Sequence, residues 1–156
     1  MIRLIDDALL NEVSAEAKAS PRGRKNRNFH TSDDQPGHRL LNAIEPGSYV
    51  MPHRHLDPNK SETMVVLRGA LGLVTFDDAG RVVEVARVSR DGTPCGVDIP
   101  HGTWHTVFAL EPGTIFLEAK AGPYVALTAE EKAPWAPVEG DAAAAAYLEN
   151  LSRLFG

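Results

Sequence analysis

Two histidines separated by a single residue, His53 and His55, are the side chains with the clearest potential for chemistry. In an extended segment, residues i and i+2 project from the same face, so the two imidazoles converge on one point. Glu62 follows after a loop, and His105 stands just after a later Pro-x-Gly turn. Three histidines and one carboxylate suit a divalent transition metal with open positions for water or substrate. Taken alone, His53 and His55 fit equally well as polar residues at the mouth of a barrel.

The segment that carries these residues, from His38 to about Ala121, has the pattern of an antiparallel β protein. Short apolar or alternating runs are separated by turn signals such as Glu45-Pro46-Gly47, with no helical pattern between them. This pattern predicts a sandwich or barrel. The predicted strands are Arg39–Ile44, Ser48–His53, Glu62–Leu67, Ala70–Phe76, Val82–Val88, Gly96–Ile99, Thr103–Ala109 and Thr114–Ala119.

Helices are predicted on both sides of this segment. Residues 3–19 have helical spacing, with Asp6 or Asp7 as the cap and an apolar face of Leu9, Leu10, Val13 and Ala17. A second helix is predicted from a cap at Asp141 to Phe155, with an apolar face of Ala144, Leu148, Leu151 and Leu154. We therefore divide the chain into an N-terminal helix and basic arm (1–37), a barrel (38–125), and an extended segment with a helix that packs on the barrel (126–156).

A basic stretch, Arg22, Arg24, Lys25 and Arg27, follows the first helix. It has two interpretations, which are a solvated arm and an arm that reaches an anionic ligand. Positive charge beside a metal would attract a phosphate or carboxylate, which an arginine can hold through two hydrogen bonds.

Composition narrows the class of protein. The chain has 156 residues and a net charge of −5, which fits one domain and argues against a general nucleic-acid binder. No apolar run approaches the roughly 20 residues of a membrane-spanning helix. The single cysteine, Cys95, excludes an internal disulfide, and we expect a cytoplasmic protein.

The motif spacing adds a family resemblance. Gly47-x5-His53-x-His55-x6-Glu62-x6-Gly69 resembles the first cupin motif, and Pro100-x-Gly102-x2-His105 resembles the second. This chain leaves more residues between His55 and Glu62 than the family usually does. The resemblance implies an all-β fold, the cupin double-stranded β-helix or jelly-roll barrel, here with an N-terminal helix and arm and a C-terminal helix. It also implies a metal inside the barrel, bound by His53, His55, Glu62 and His105.

A narrower resemblance is to the WbuC-type cupin metalloproteins. It rests on Asn28-Phe29-His30, Pro52-His53-Arg54-His55, Gly102-Thr103-Trp104-His105, Gly122-Pro123-Tyr124 and Ala133-Pro134-Trp135. That family is tied to bacterial surface-polysaccharide loci. The resemblance implies a small polar ligand, such as a sugar or a nucleotide sugar. The metal type stays open among Zn, Fe, Mn and Ni.

Further candidates surround this site. Glu118, a carboxylate in an apolar strand, is either paired, at a strand end, or a catalytic acid/base. Tyr49 shares the face of His53 by parity and is a second catalytic candidate. Candidate ligand-binding residues are Arg39, Lys60, His30 and Tyr124, although the first two fit better as surface charges.

Two classes of function remain open. One is a metal-dependent enzyme, either an isomerase or epimerase or an oxygenase. The other is a non-catalytic module that binds or senses a sugar; a storage or structural role is a third option. We expect an anionic small-molecule ligand, no nucleic acid or membrane partner, and a homodimer, because an open barrel leaves strand edges to cover.

Overall fold

The computed structural model describes residues 1–156 and begins with helix α1, Asp7–Ala19. Asp6 caps it, as predicted, since its carboxylate accepts a hydrogen bond from the backbone of Leu9 at 3.0 Å. Leu10, Val13 and Ala17 on one face of α1 are buried. This apolar face docks the helix against the outside of the barrel.

Eight strands form two antiparallel sheets. They are β1 (Arg24–Asn28), β2 (Gly37–Ile44), β3 (Glu62–Arg68), β4 (Ala70–Phe76), β5 (Val82–Ser89), β6 (Gly96–Ile99), β7 (Trp104–Ala109) and β8 (Thr114–Ala121). One sheet has the order β1-β2-β8-β3-β6, and the other has the order β5-β4-β7. The all-β fold class predicted from the sequence is confirmed.

The side-chain alternation of the strands sorts the molecule into layers. Inward-facing apolar residues of both sheets, among them Met64, Leu73 and Phe116, form the core of the barrel. Leu41, Ala43 and Ile115 point out of the larger sheet and pack on α1. The polar residues described below therefore occupy inward positions that would otherwise continue the core.

The outer face of the smaller sheet is covered by the C-terminal part of the chain. Helix α2, Ala144–Ser152, continues into a 3-10 turn at Arg153–Phe155, and another 3-10 turn lies at Ala129–Glu131. Ala144, Leu148 and Leu151 are buried against this sheet. Leu154, predicted to share their face, is 45% exposed because the chain has left the α-helix by that point. None of the helices is long and apolar enough to span a membrane.

Two segments differ from the sequence prediction. The predicted strand Ser48–His53 is wrong, since only His53 forms β-bridges, to His105 and Lys132. Conversely, the basic arm contains strand β1, which pairs along its length with β2 and forms an edge of the larger sheet. Its charged sequence lacks the apolar alternation by which strands are recognised.

Candidate metal centre and the cavities beside it

The four predicted ligands come from three separated parts of the chain. His53 and His105 face each other across an antiparallel bridge, with backbone hydrogen bonds of 3.0 and 2.9 Å between them. Glu62 is the first residue of β3 and points into the barrel. His55 lies two residues beyond His53 in an irregular extended segment.

The donor atoms of these side chains meet at one place. One nitrogen or oxygen from each of His53, His55 and Glu62 lies within 4.8 Å of the others. The Nε2 atoms of His55 and His105 lie 3.2 and 2.9 Å from the two carboxylate oxygens of Glu62. The extra loop length before Glu62 therefore does not displace its carboxylate from the histidines.

The buried polar atoms of this cluster are suited to a cation. Nε2 of His55, Nε2 of His105 and Oε2 of Glu62 are all buried, and none makes a hydrogen bond of normal geometry. Ligand atoms about 2.1 Å from one ion stand about 3.0 Å apart in an octahedral shell and about 3.4 Å apart in a tetrahedral one. The observed separations of 2.9 and 3.2 Å fit this spacing. The cluster thus fits a divalent metal.

Backbone carbonyls orient two of the imidazoles. Nδ1 of His53 lies 2.9 Å from the carbonyl of Met51, and Nδ1 of His105 lies 2.9 Å from the carbonyl of Thr103. A carbonyl only accepts, so each Nδ1 must carry the proton and each Nε2 keeps its lone pair. This is the outer bonding that holds a ligating histidine in place.

The electrostatics of the cluster favour the protonation states that a metal requires. Burial, together with the neighbouring His105, lowers the pKa of His53 to about 4, so the ring is neutral at pH 7. Burial alone would raise the pKa of Glu62. The nearby imidazoles of His105 and His55 and the charge of Lys120 outweigh it and hold the pKa below its usual range.

A cavity of about 410 Å³, the inner cavity, opens beside three of these ligands, His53, Glu62 and His105. Its inner wall is part apolar, with Met64 and Phe116, and part polar. The polar part consists of Asn42, Glu118 and Lys120, all at inward positions of β2 and β8.

Glu118 is buried on this wall. Its Oε2 accepts a hydrogen bond from the Asn42 amide at 2.7 Å, and its Oε1 lies 2.9 Å from the Lys120 ammonium. Lys120 also lies 3.3 Å from Glu62. Burial raises the pKa of Glu118, and Lys120 opposes that rise. Burial would lower the pKa of Lys120, but Glu118 and Glu62 raise it above its ordinary value.

The mouth of the inner cavity carries the basic residues Arg22, Arg24 and Lys25. Glu139, from the segment before α2, accepts two hydrogen bonds from Arg22 and one from Arg24, at 2.7–2.9 Å. These bonds lower the pKa of Glu139 to about 2. Arg27 belongs elsewhere, since it pairs with Glu12 and Glu16 on α1.

Two candidates from the sequence lie away from this cavity. Tyr49 packs with the cluster outside the smaller sheet, and its hydroxyl donates to the Pro137 carbonyl at 2.7 Å. Tyr49 does not share a face with His53, as the sequence predicted, because residues 48–53 do not form a regular strand. Burial raises the pKa of Tyr49, which makes it a poorer proton donor. Arg39 has an exposed side chain on β2 and lines none of the larger cavities.

The remaining candidates line two further cavities that share Lys120 with the inner cavity. Lys60 donates to the Pro123 carbonyl at 2.6 Å and, with His55 and Tyr124, lines a cavity of about 220 Å³. His30 and Tyr124 line a third cavity of about 340 Å³. The structure thus brings Glu118 to the predicted ligands and places Lys60, His30 and Tyr124 around two neighbouring cavities, with Tyr124 in both.

Sequence reasoning missed Asn42, Lys120 and Glu139. The first two carry a signal, because Lys120 follows Glu118 by two residues and Asn42 alternates with the buried Leu40 and Ile44. Glu139 carries none, since its contacts to the arm join residues 115 and 117 positions apart.

Comparison with known protein families gives one match. Residues 5–88 match the model of a family described as "Domain of unknown function (DUF6016)". None of the curated proteins matches the chain significantly.

Solved structures give the fold. KdgF from Halomonas sp. is 20% identical over 65% of this chain and 82% of its own, with a TM-score of 0.51. The conserved SPY1581 protein of unknown function from Streptococcus pyogenes is 15% identical over 80% and 91%, with a TM-score of 0.53. With its two antiparallel sheets and these two matches, the chain has the jelly-roll barrel that the cupin resemblance implied, with a histidine and glutamate cluster that fits a metal.

Proposed function

Since the chain belongs to the DUF6016 family, a domain of unknown function, we propose a function from the geometry of the site. The protein is a metal-dependent enzyme that moves a proton within a small, hydroxylated, anionic ligand, as an isomerase or epimerase of a sugar acid does. One observation carries this proposal: the carboxylate of Glu118 lies on the wall of the same cavity as His53, Glu62 and His105.

The residues around the cavity have distinct tasks. A divalent ion held by His53, His55, Glu62 and His105 supplies polarisation of a ligand oxygen. Glu118 accepts a proton from the carbon next to the polarised carbonyl and delivers it to the former carbonyl carbon, while the hydroxyl proton passes to the carbonyl oxygen, so that one general acid/base converts an aldose into a ketose. Asn42 and Lys120 hold the Glu118 carboxylate in place, and the apolar wall keeps water away from the ligand.

Charge favours an anionic ligand. Glu62, Glu118 and Lys120 together carry −1, and a divalent cation among neutral histidines changes this to +1. Lys25 adds a cation at the mouth and forms no ion pair, while Arg22 and Arg24 share the single carboxylate of Glu139. An anionic group on the ligand would offset this excess of positive charge.

The choice of a sugar rests on the resemblance to WbuC-type cupins. Sugars and nucleotide sugars of bacterial surface polysaccharides are hydroxylated and often carry a carboxylate or phosphate. The inner cavity, about 410 Å³, is in the range of small-molecule sites. We therefore propose uronic acids as the first probes.

The test for catalysis is hydrogen exchange at carbon. Metal-loaded protein is incubated with galacturonate or glucuronate in D₂O, and loss of the C–H signal or appearance of the ketose is followed by NMR. Glu118→Gln keeps the shape of the side chain and should slow the reaction by about 10²–10⁴-fold. Glu111→Gln, at an exposed carboxylate paired with Arg87, is the control and should leave the rate unchanged.

The alternative function is a non-catalytic sugar-binding module. The observation that favours it is the engagement of both Glu118 oxygens, by Asn42 and Lys120. Uronic acids that raise the melting temperature but exchange no deuterium would establish this alternative and refute the enzyme.

The test for an anionic ligand compares melting temperatures. Uronic acids should stabilise the metal-loaded protein more than the neutral sugars of the same configuration. Arg24→Ala and Lys25→Ala should weaken this response at unchanged metal content. Arg27→Ala is the matched control, because Arg27 is bound to α1. Equal responses to neutral and anionic sugars would contradict the charge argument.

A further inference from the structure

The third of these cavities, which we call the outer cleft, adjoins the inner cavity at Asn26 and Lys120. It has a volume of about 340 Å³ and is lined mainly by polar side chains, which are Asn26, Asn28, His30, Asp33, His38 and Tyr124. The Tyr124 side chain is 63% exposed, and no contact within the protein accounts for this aromatic surface.

Two buried histidines form the floor of the outer cleft. The rings of His30 and His38 are stacked, with centroids 4.0 Å apart and planes 7° apart. Nδ1 of His30 contacts the backbone of Arg39, and Nε2 of His38 contacts the Asp33 carbonyl. The second nitrogen of each ring has no hydrogen-bond partner within the protein, and both histidines line the cleft.

The outer cleft and the inner cavity adjoin each other. Asn26 and Lys120 line both of them, so the two spaces meet at these two side chains. The cavity beside His55 also shares Lys120, His38 and Tyr124 with the outer cleft. A ligand larger than one ring that passes Lys120 would therefore contact both spaces.

The charges of the outer cleft differ from those of the inner cavity. Its carboxylate, Asp33, forms no ion pair, and its cation, Lys120, is already paired with Glu62 and Glu118. An anionic group would gain no free cation there and would meet Asp33. The amides, the imidazole nitrogens and the carboxylate offer both donors and acceptors beside one aromatic ring. This combination suits a neutral ring bearing several hydroxyl groups.

We propose that the outer cleft is a second sugar subsite, so that the ligand is a disaccharide or glycoside with its anionic unit in the inner cavity and a neutral sugar against Tyr124. This inference rests on the proposed function. It changes the substrate class from a free sugar acid to one joined to a further sugar.

Calorimetric titration of the metal-loaded full chain tests the subsite. The probes are glucuronate and two disaccharides, in which a neutral hexose is attached to glucuronate at either end. We expect one disaccharide to bind about tenfold more tightly than glucuronate, which is the effect of one additional set of contacts. Tyr124→Ala and Asn28→Ala, both at exposed positions, should remove this gain and leave glucuronate binding and metal content unchanged. Val83→Ala, at an exposed valine on β5, is the control.

The outcomes separate the two proposals. Equal affinity for glucuronate and both disaccharides, unaltered by Tyr124→Ala, overturns the subsite and leaves the proposed function standing. Binding of none of the three probes removes the proposed function and the subsite with it. Uridine diphosphate glucuronate is titrated as a fourth probe. A tenfold gain for this compound alone, lost in Tyr124→Ala, places a base in the outer cleft and overturns the assignment to a sugar.

Discussion

Removal of the metal should destabilise the fold by an amount that follows from the cluster itself. Without a cation, three buried atoms, on His55, His105 and Glu62, have no hydrogen bond. Each such atom costs about 1–3 kcal/mol, so a bound ion that satisfies all three stabilises the protein by about 3 kcal/mol at the low end of this range. For a domain of this size, 1 kcal/mol shifts the melting temperature by about 2–4 °C, which gives a shift of about 6–12 °C.

Differential scanning calorimetry measures this shift, with protein stripped by a chelator and then reloaded with Zn, Fe, Mn or Ni. A metal that binds only the folded state stabilises it by about 4 kcal/mol when the concentration of free metal is a thousandfold above its dissociation constant. The double variant His53→Ala/His55→Ala should lose stoichiometric metal by elemental analysis, and its melting temperature should no longer respond. His101→Ala, at an exposed histidine in the turn before β7, is the matched control and should respond as the native protein does.

Two results would refute this reasoning. One is a stripped protein that melts at the same temperature as the loaded one. The other is a double variant that keeps one metal per chain, which would mean that the ion binds at a different place.

Three further predictions concern stability and assembly. The pKa of Glu139 is about 2 in the folded protein and 4.5 ordinarily, so its stabilising contribution is complete above pH 4.5 and is lost as the pH falls toward 2. The melting temperature of Glu139→Gln should therefore be lower than that of the native protein at pH 7 and equal to it near pH 2. A difference in melting temperature that stays constant between these pH values would contradict the stabilising role of the Glu139 carboxylate. Leu41→Ala, at a residue fully buried under α1, should cost about 2–5 kcal/mol in urea unfolding, whereas Leu154→Ala, 45% exposed, should cost less than about 0.5 kcal/mol. We also expect a homodimer, because β5 is a sheet edge with exposed valines such as Val83; a monomer mass by light scattering at micromolar concentration would count against it.

The sequence predicted the regular strands well where every second residue, or every residue, of the strand is buried. Ala70–Phe76 and Gly96–Ile99 have their predicted bounds, because turn residues delimit each apolar run. The basic strand β1 was missed since an edge strand needs only backbone hydrogen bonds to β2, and its charged side chains can face solvent. Local pattern therefore identifies strands of the core better than strands added at an edge.

The candidate site could be predicted from the sequence where its residues lie in regular strands, because residues i and i+2 then face the same side of the sheet. Glu118 faces the cavity because β8 is a regular strand, and the same parity applied to Lys120 would have found the second charged residue. Tyr49 was misplaced because Pro52 and the preceding turn interrupt the alternation before His53. The contact of Glu139 with Arg24 depends on the path of the C-terminal segment, which no local pattern specifies.

The backbone bridge between His53 and His105 sets an order of events for the newly made chain. His53 and His55 are neighbours from the moment they are synthesised, whereas His105 joins them only after fifty further residues have been added and β7 has paired with β4. Closing so long a loop has an entropic cost, and non-local pairings of this kind form slowly. A nascent chain can therefore hold a metal only loosely through its first two histidines, and the complete set of donors exists only in the folded barrel. The choice among the ions of the cell is then made by the finished protein and its cavity, at the last stage of maturation.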